Sequence, residues 1–302
     1  MDASLLRAAA AAAAGHQSHP GGVLYLVATP IGNRADITLR ALHLLAQAHT
    51  VACEDTRVTS QLLAHYGLRP PALLAVHTHN EAEAAGRVCE RLAAGEVVAY
   101  VSDAGTPGVS DPGARLVAAV VAAGHRVSPL PGPSSALAAY SASGDTGAQG
   151  FVFVGFLPAK GAERDAALQS LASEPRAQVL FEAPHRIAAL VQALAAHMPG
   201  RRLTLARELT KQFETVHTLA AAGAPAWLAA DAQRLRGEFV LVLHAEPQAA
   251  ADESLPPEAE RCLAVLQREL PLKQAVALAA EITGAPRNAL YARALQRRDE
   301  GG

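Results

Sequence analysis

The chain has 302 residues, of which 50% are hydrophobic and only 4% aromatic, and its formal net charge at pH 7 is −2. This length suffices for two α/β domains and a tail, and the near-neutral charge argues against bulk electrostatic binding to nucleic acid, though not against a local basic patch. The three cysteines lie far apart, which argues against a disulfide framework or a structural zinc site and favours a reducing, cytoplasmic location. No apolar run in the sequence is long enough to cross a bilayer.

The chain begins with an alanine-rich segment, Ala8 to Ala14, that superficially resembles the apolar part of a signal peptide. Alanine is only weakly apolar, and the flanking residues include Asp2 with a single arginine, so the segment does not fit that class. We expect residues 1–21 to form a flexible extension outside the fold.

Residues 22–146 alternate short apolar runs with amphipathic stretches, and they predict an N-terminal α/β domain with a mostly parallel sheet covered on both faces. Asp36 and Asn80 are predicted to cap two of its helices, and Ser110-Asp111-Pro112 a third, over Pro112 to Ala123. The predicted strands are Val23 to Ala28, Thr50 to Cys53, Leu73 to Val76, Val97 to Val101 and Val127 to Leu130.

Residues 147–246 predict a second α/β domain. Two of its strands follow one another without room for a helix, so we expect a mixed sheet. The predicted strands are Phe151 to Phe156, Gln178 to Phe181, Leu203 to Ala206, Thr215 to Leu219 and Phe239 to Leu243. The predicted helices are Ala162 to Leu171, Pro184 to His197 and Ala226 to Leu235.

The C-terminal part is predicted to be a polar linker at 247–256 and about three short helices within 257–298. Their spacing fits a helix-turn-helix, which could contact nucleic acid. A small helical appendage is the interpretation that spacing alone favours.

Three loops rich in Gly and Pro follow the first, fourth and fifth predicted strands: Thr29 to Asn33, Ser102 to Gly113 and Pro131 to Ser134. None contains the usual phosphate-binding fingerprints. In open α/β sheets ligands bind at the carboxyl ends of strands. If the three strands are neighbours, their loops converge on one crevice that suits a small ligand.

Charged side chains follow other strand ends. Glu54 and Asp55 could position a hydroxyl or accept its proton, and Arg57 could hold a phosphate, although a solvated loop with a weak ion pair explains them equally simply. His77 and His79 lack a third ligand of matching spacing, so we predict no metal, while His79 could contribute to a polar cleft. Two further turns could either cap helices or face the cleft: Glu182 to Arg186 and Arg207 to Lys211.

Taken together, these motifs resemble the tetrapyrrole methylase superfamily, and within it the branch that methylates ribose in small-subunit rRNA. The resemblance covers roughly residues 22–298. In the first half it rests on Ala28 to Asn33, Glu54 to Arg57, His79 to Glu81, Ser102 to Gly113 and Pro131 to Ser134. In the second half it rests on Gly155 to Pro158, Glu182 to Arg186, Ala206 to Lys211, Gly237 to Val242, Leu272 to Val276 and Thr283 to Tyr291.

The resemblance implies two α/β domains with S-adenosylmethionine in the cleft between them, a cytidine 2′-hydroxyl in the decoding region of small-subunit rRNA as the methyl acceptor, and a homodimer. It implies Asp55, Glu54 and His79, in that order, as candidate general bases. Arg57, Arg186 and Lys211 would hold RNA. The implied donor-binding residues are Pro30, Gly32, Asp103, Ala104, Gly105, Thr106, Pro131, Gly132, Pro133, Ser134, Glu208 and Leu209.

This sequence departs from the family pattern at Arg34, where an apolar residue is usual, and at Ala183, where serine is common. Three alternatives remain. A tetrapyrrole methyltransferase would be expected to have a Gly-rich first loop and no C-terminal helices. A noncatalytic ribosome-assembly factor would not need intact donor loops. A nicotinamide-dependent oxidoreductase would carry a dinucleotide fingerprint, which this chain lacks.

Overall fold

The structure is a computed structural model that describes residues 2–77, 80–246 and 255–300, without the side chains of residues 296 and 298–300. Its contacts group the chain into two compact units, Met1–Ala245 and Glu246–Gly302. The first unit contains both sheets, so a domain boundary near residue 146 stays a prediction. No helix in the described ranges is long and apolar enough to cross a membrane.

The first helix, α1 (Ala3–Ala14), corrects the expectation that residues 1–21 are a flexible extension. Asp2 caps it by accepting a hydrogen bond from Ser4 N at 2.8 Å. Alanine is the strongest helix former, and Ala10 and Ala14 are buried. The alanine run is therefore a packed helix.

The first sheet has five parallel strands in the order β3-β2-β4-β1-β5. They are β1 (Val23–Val27), β2 (Thr50–Cys53), β3 (Ala72–Ala75), β4 (Val97–Val101) and β5 (Arg126–Leu130). The helices that cover it are α2 (Leu39–Gln47), α3 (Thr56–His65), α4 (Glu81–Ala93), α5 (Ala114–Ala122) and α6 (Ser135–Ala142). Since β4, β1 and β5 are neighbours, the prediction that their loops share one edge of the sheet is confirmed.

The core of this sheet lies on both of its faces. All five residues of β4 are buried, which is typical of a central parallel strand that is covered on both sides. One cluster centres on Leu42 and Val51, and the other on Val88 and Leu116. A sheet fixed in this way holds the loops at its carboxyl edge in place.

The predicted caps were only partly right. The side chain of Thr38, and not of Asp36, caps α2 by accepting a hydrogen bond from Ala41 N at 3.1 Å. Asn80 does stand at the N-cap of α4, but its side chain accepts from His77 N at 2.8 Å and leaves the helix amides alone. Short polar side chains thus compete between a helix end and the preceding turn.

Helix α5 begins at Ala114, and Ser110-Asp111-Pro112 does not cap it as predicted. Its free amides donate instead to the Glu81 carboxyl of the neighbouring helix, from Gly113, Arg115 and Leu116. A cap that comes from 32 residues away cannot be read from the local sequence.

The second sheet is mixed, as predicted, and has the order β6-β7-β10-β8-β9, with β6 and β7 parallel and every other pair antiparallel. Its strands are β6 (Phe151–Phe156), β7 (Ala177–Glu182), β8 (Arg202–Arg207), β9 (Thr215–Ala220) and β10 (Phe239–Leu243). Its helices are α7 (Ala162–Ser173), α8 (Ile187–His197) and α9 (Ala224–Ala229). The helix predicted over Ala226 to Leu235 ends early, and a 3-10 turn covers its last part.

The second unit contains the three predicted C-terminal helices. They are α10 (Pro257–Glu269), α11 (Leu272–Thr283) and α12 (Arg287–Glu300). They pack around Leu263, Val276 and Leu290, and Gly284 ends α11 in the left-handed conformation, with φ of 68°. Most of the predicted linker, 247–254, lies outside the described residues.

Candidate functional site

The loops that follow β1, β4 and β5 are held together by hydrogen bonds. Thr29 and Gly105 exchange two backbone hydrogen bonds, of 2.9 and 3.0 Å, so the loop after β1 and the loop after β4 form a short antiparallel bridge. The Thr29 hydroxyl donates to Ser102 O at 3.1 Å, and the Thr106 hydroxyl donates to Pro133 O at 3.0 Å. The predicted convergence of the three loops is thus present.

The loop that follows β8 in the second sheet contacts the loop that follows β1 in the first sheet. The residues that follow β8 include two with positive φ, Glu208 at 52° and Thr210 at 67°, a strained arrangement that is common at functional sites. Asn33 N donates to the Thr210 hydroxyl at 3.0 Å. Lys211 Nζ pairs with Glu208 at 2.9 Å and with Glu238 at 2.8 Å. The hydrogen bond from Asn33 links the two sheets at this edge, and the two ion pairs fix Lys211 within the second sheet's loops.

A cavity of ≈ 390 Å³ lies between the two sets of loops, a volume typical of small-molecule sites. The first half of the chain lines it with Ile31, Ala104, Gly105, Thr106, Val109, Ser110, Asp111, Ser134 and Ser135. The second half lines it with Phe156, Phe181, Glu182, Ala183, Pro184, Ala206, Leu209, Glu238, Phe239 and Val240. The turn from Glu182 therefore does face the cleft.

Five of the twelve predicted donor-binding residues line this cavity: Ala104, Gly105, Thr106, Ser134 and Leu209. The others lie in the same loops but do not line the cavity. Gly132, for example, packs so closely on Ala28 that a Cβ at this glycine would lie 2.8 Å from Ala28 Cβ. The residues that do not line the cavity are Pro30, Gly32, Asp103, Pro131, Gly132, Pro133 and Glu208.

Three carboxyl groups near the cavity have raised pKa values. Burial and the charge of Glu54 raise the pKa of Asp111 to about 6. Burial and the charge of Asp103 raise the pKa of Glu54, and burial raises that of Asp103. Of the three, Asp111 lines the cavity, so a carboxyl group that titrates near neutral pH faces the ligand space.

Asp55, the first-ranked candidate base, lies at the start of a helix in the structure. It caps α3, and its carboxylate accepts hydrogen bonds from the Arg57 side chain and from Arg57 N. The side-chain hydrogen bond from Arg57 is the main cause that lowers the pKa of Asp55 to about 2. A carboxylate held in this way is a weak base. His79, the third candidate, lies outside the described residues.

The three predicted RNA-binding cations differ in availability. Arg57 is 86% exposed, although it pairs with Asp55 at 2.8 Å. Arg186 is largely buried: its guanidinium pairs with the fully buried Glu182 carboxylate at 3.0 Å and donates to Leu157 O at 2.6 Å. Arg186 therefore supports the fold of the second sheet, and its contact with RNA stays a prediction.

Comparison with known proteins identifies the family to which this chain belongs. The family model of the tetrapyrrole (corrin/porphyrin) methylases matches residues 23–225, and the model of the RsmI C-terminal HTH domain matches residues 253–298. The chain is 48% identical to ribosomal RNA small subunit methyltransferase I of Pseudomonas aeruginosa over 277 residues, 91% of this chain and 98% of that protein. The chain belongs to the tetrapyrrole methylase family.

Solved structures agree on the tetrapyrrole methylase fold. Cobalt precorrin-4 methyltransferase has a TM-score of 0.55 at 19% identity and covers 73% of this chain and 94% of its own. Uroporphyrin-III C-methyltransferase of Thermus thermophilus, complexed with S-adenyl homocysteine, has a TM-score of 0.50 at 20% identity. The match covers 72% of this chain and 96% of that chain. At these identities the likeness concerns the fold alone.

Several residues that line the cavity of this tetrapyrrole methylase were not predicted from the sequence. Asp111 was assigned to a helix cap, because Ser-Asp-Pro is a common way to begin a helix. Phe156 and Phe181 were assigned to strands without a role in the site. The motif Gly155 to Pro158 was a usable signal for Phe156, since it overlaps the end of a predicted strand.

Proposed function

We propose that this chain transfers a methyl group from S-adenosylmethionine to the ribose 2′-hydroxyl of a cytidine in the decoding region of small-subunit rRNA. The observation that carries the proposal is the cavity built by loops of both sheets in a chain that is 48% identical to an rRNA small subunit methyltransferase I over nearly its whole length. Five of the residues expected to bind the donor line that cavity.

The residues present fit the methyl donor. Gly105, with φ of 79°, and Thr106 offer backbone close to the cavity, and Ser134 lies at the start of α6. The carboxyl group of Glu238 faces the cavity and matches the positive charge of an α-ammonium group. When bound, the donor supplies an electrophilic methyl group on a positively charged sulfur. The main contribution of the protein is then to align the acceptor and exclude water.

A ribose hydroxyl is a weak nucleophile until its proton leaves, so a general base should help. Among the three initial candidates, Asp55 is held as a cap, and its low pKa makes it a weak base. Asp111 lines the cavity, and its pKa of about 6 suits proton transfer near neutral pH. We therefore assign proton acceptance to Asp111 Oδ, with Glu54 as the neighbour that raises its pKa.

RNA contacts rest on a few local cations, because the formal net charge is −2. Arg57 is the most exposed of the three predicted cations. Lys211 pairs with Glu208 and with Glu238, and Glu238 lines the cavity. Such a protein finds its target by shape more than by attraction to a polyanion. The proposed substrate is accordingly an assembled small ribosomal subunit, and the proposed working state is a homodimer in the cytoplasm.

The decisive experiment uses purified protein, radiolabelled S-adenosylmethionine and small subunits from a strain that lacks this gene. We expect 2′-O-methylation of one cytidine in the decoding region, mapped by resistance of the ribose to alkaline cleavage, and a much lower rate on naked rRNA. Absence of methylation on subunits, with uroporphyrinogen methylated instead, would favour the tetrapyrrole alternative. The match of residues 253–298 to an rRNA methyltransferase-type C-terminal domain argues against that alternative.

A further inference from the structure

One aromatic side chain at the cavity is oriented by a β-bulge. Strand β6 pairs in parallel with β7, and the register shifts between Phe153 and Gly155, so that Phe153 pairs with Val179 and Gly155 with Leu180. Gly155 has φ of 72°, a conformation that favours glycine. Bulges of this kind commonly redirect a side chain near an active site.

The bulge decides which face of the sheet Phe156 occupies. In a regular strand, residues three apart point to opposite faces, so Phe153 and Phe156 would be separated by the sheet. The extra residue places both side chains on one face of the sheet, where both contact Phe181. The ring centroid of Phe181 lies 5.1 Å from that of Phe153 and 5.6 Å from that of Phe156, with an edge-to-face arrangement in each pair. The Phe156 ring is thereby directed to the cavity, which it lines.

Phe156 is nevertheless 54% exposed, while Phe181 supports one side of it. The chain has only six phenylalanines, and three of them line this one cavity. Gly155 lies so close to the opposite wall that a Cβ there would approach Ser110 Oγ to 3.0 Å. An apolar ring is therefore held, half open to solvent, at the rim of the cavity.

We propose that Phe156 is a specificity-determining residue that stacks on the base of the acceptor nucleotide as its ribose enters the cavity. The inference rests on the proposed function. Single-stranded RNA is recognised largely by stacking of unstacked bases on aromatic side chains. The donor adenine offers the same planar chemistry. More than half of Phe156 is accessible to solvent and therefore to a large substrate, so the acceptor base is the partner assigned.

The test compares Phe156→Ala and Phe156→Tyr with the wild type, using small ribosomal subunits that lack the modification and S-adenosylmethionine. Phe156→Ala is expected to raise KM for the subunit about 5- to 100-fold, the range of one lost base–aromatic stack. Its Kd for S-adenosylmethionine, measured by calorimetry, should stay within about twofold, and Phe156→Tyr should restore KM because it keeps the ring. Phe213→Ala is the matched control: Phe213 is 67% exposed but does not line the cavity, so its KM should not change.

Each result has one meaning. A wild-type protein that does not methylate subunits refutes the proposed function, whatever the variants do. An active wild type with an unchanged KM in Phe156→Ala refutes the stacking role alone. A loss in Phe156→Ala that is confined to the Kd for S-adenosylmethionine assigns the ring to the donor adenine and overturns the acceptor assignment.

Discussion

The buried Glu81 carboxyl accepts a hydrogen bond from Gly113 N at 2.9 Å, and the same oxygen accepts from Arg115 N at 3.0 Å and Leu116 N at 3.3 Å. Glu81 begins α4, whereas Gly113 immediately precedes α5. One side chain thus satisfies free amides at the start of a second helix and fixes the end of the loop that lines the cavity.

Removal of this cap is expected to destabilise the protein. Glu81→Ala leaves buried amides without an acceptor, so the free energy of unfolding should fall by about 2–3 kcal/mol in urea denaturation. Glu81→Gln keeps one acceptor oxygen and should lose about half as much. Glu83→Ala changes an exposed residue in the same helical turn and should cost less than about 1 kcal/mol. Equal losses at both positions would contradict the capping role.

Substitution of two glycines in this loop distinguishes the cost of backbone strain from the cost of steric overlap. Gly113 has φ of 126°, and a Cβ there would overlap Tyr100 Cε1, whereas Gly108 has φ of 78° and open space around it. Gly108→Ala should therefore cost about 1–2 kcal/mol of strain. Gly113→Ala should cost more than about 3 kcal/mol, because a buried tyrosine must also shift. Thermal or urea unfolding of the two variants measures both losses of stability. Similar losses would contradict the prediction, because they would show that Tyr100 moves aside without cost.

The proposed base gives a signed pH dependence. Asp111 must be deprotonated to accept a proton, and its pKa is raised to about 6, so kcat/KM of the wild type should rise as the pH increases through about 6 and then level off. Asp111→Asn should lower kcat about 100- to 10,000-fold and abolish that rise, while the Kd for S-adenosylmethionine stays within about threefold.

The matched control for the base is Asp55→Asn. Asn is as good an N-cap as Asp, and the pKa of Asp55 of about 2 already excludes it from titration near neutral pH, so kcat should stay within about threefold of the wild type. The reverse pattern, with Asp55→Asn inactive and Asp111→Asn active, would return the base to Asp55.

The sequence was informative where function depends on loop chemistry, and less so where it depends on long-range geometry. Gly and Pro at the ends of β1, β4 and β5 marked the loops that line the cavity, because few other residues allow such turns. The orientation of Phe156 could not be predicted, since regular alternation places it on the wrong face and the bulge depends on pairing with β7. The sequence also predicts a helix cap at Ser110-Asp111-Pro112, whereas in the structure Glu81 provides the cap.

Arg186 and Arg57 allow a structural arginine to be distinguished from one that is free to bind RNA. Arg186→Ala leaves the fully buried Glu182 carboxylate without its cation, so the free energy of unfolding should fall by about 2–4 kcal/mol. Arg186→Lys should recover little, because the single nitrogen of a lysine cannot occupy both the position that pairs with Glu182 and the position that donates to Leu157 O. Arg57→Ala removes only an exposed ion pair and should leave the free energy of unfolding nearly unchanged.

The two variants should differ in the opposite sense when binding is measured. Arg57→Ala should raise KM for small ribosomal subunits several-fold and weaken its dependence on salt, since one contact to phosphate is lost. Arg186→Ala, assayed at a temperature where it remains folded, should keep the salt dependence of the wild type. A reduced salt dependence in Arg186→Ala would mean that its guanidinium leaves Glu182 to bind RNA, and the structural assignment would then be wrong.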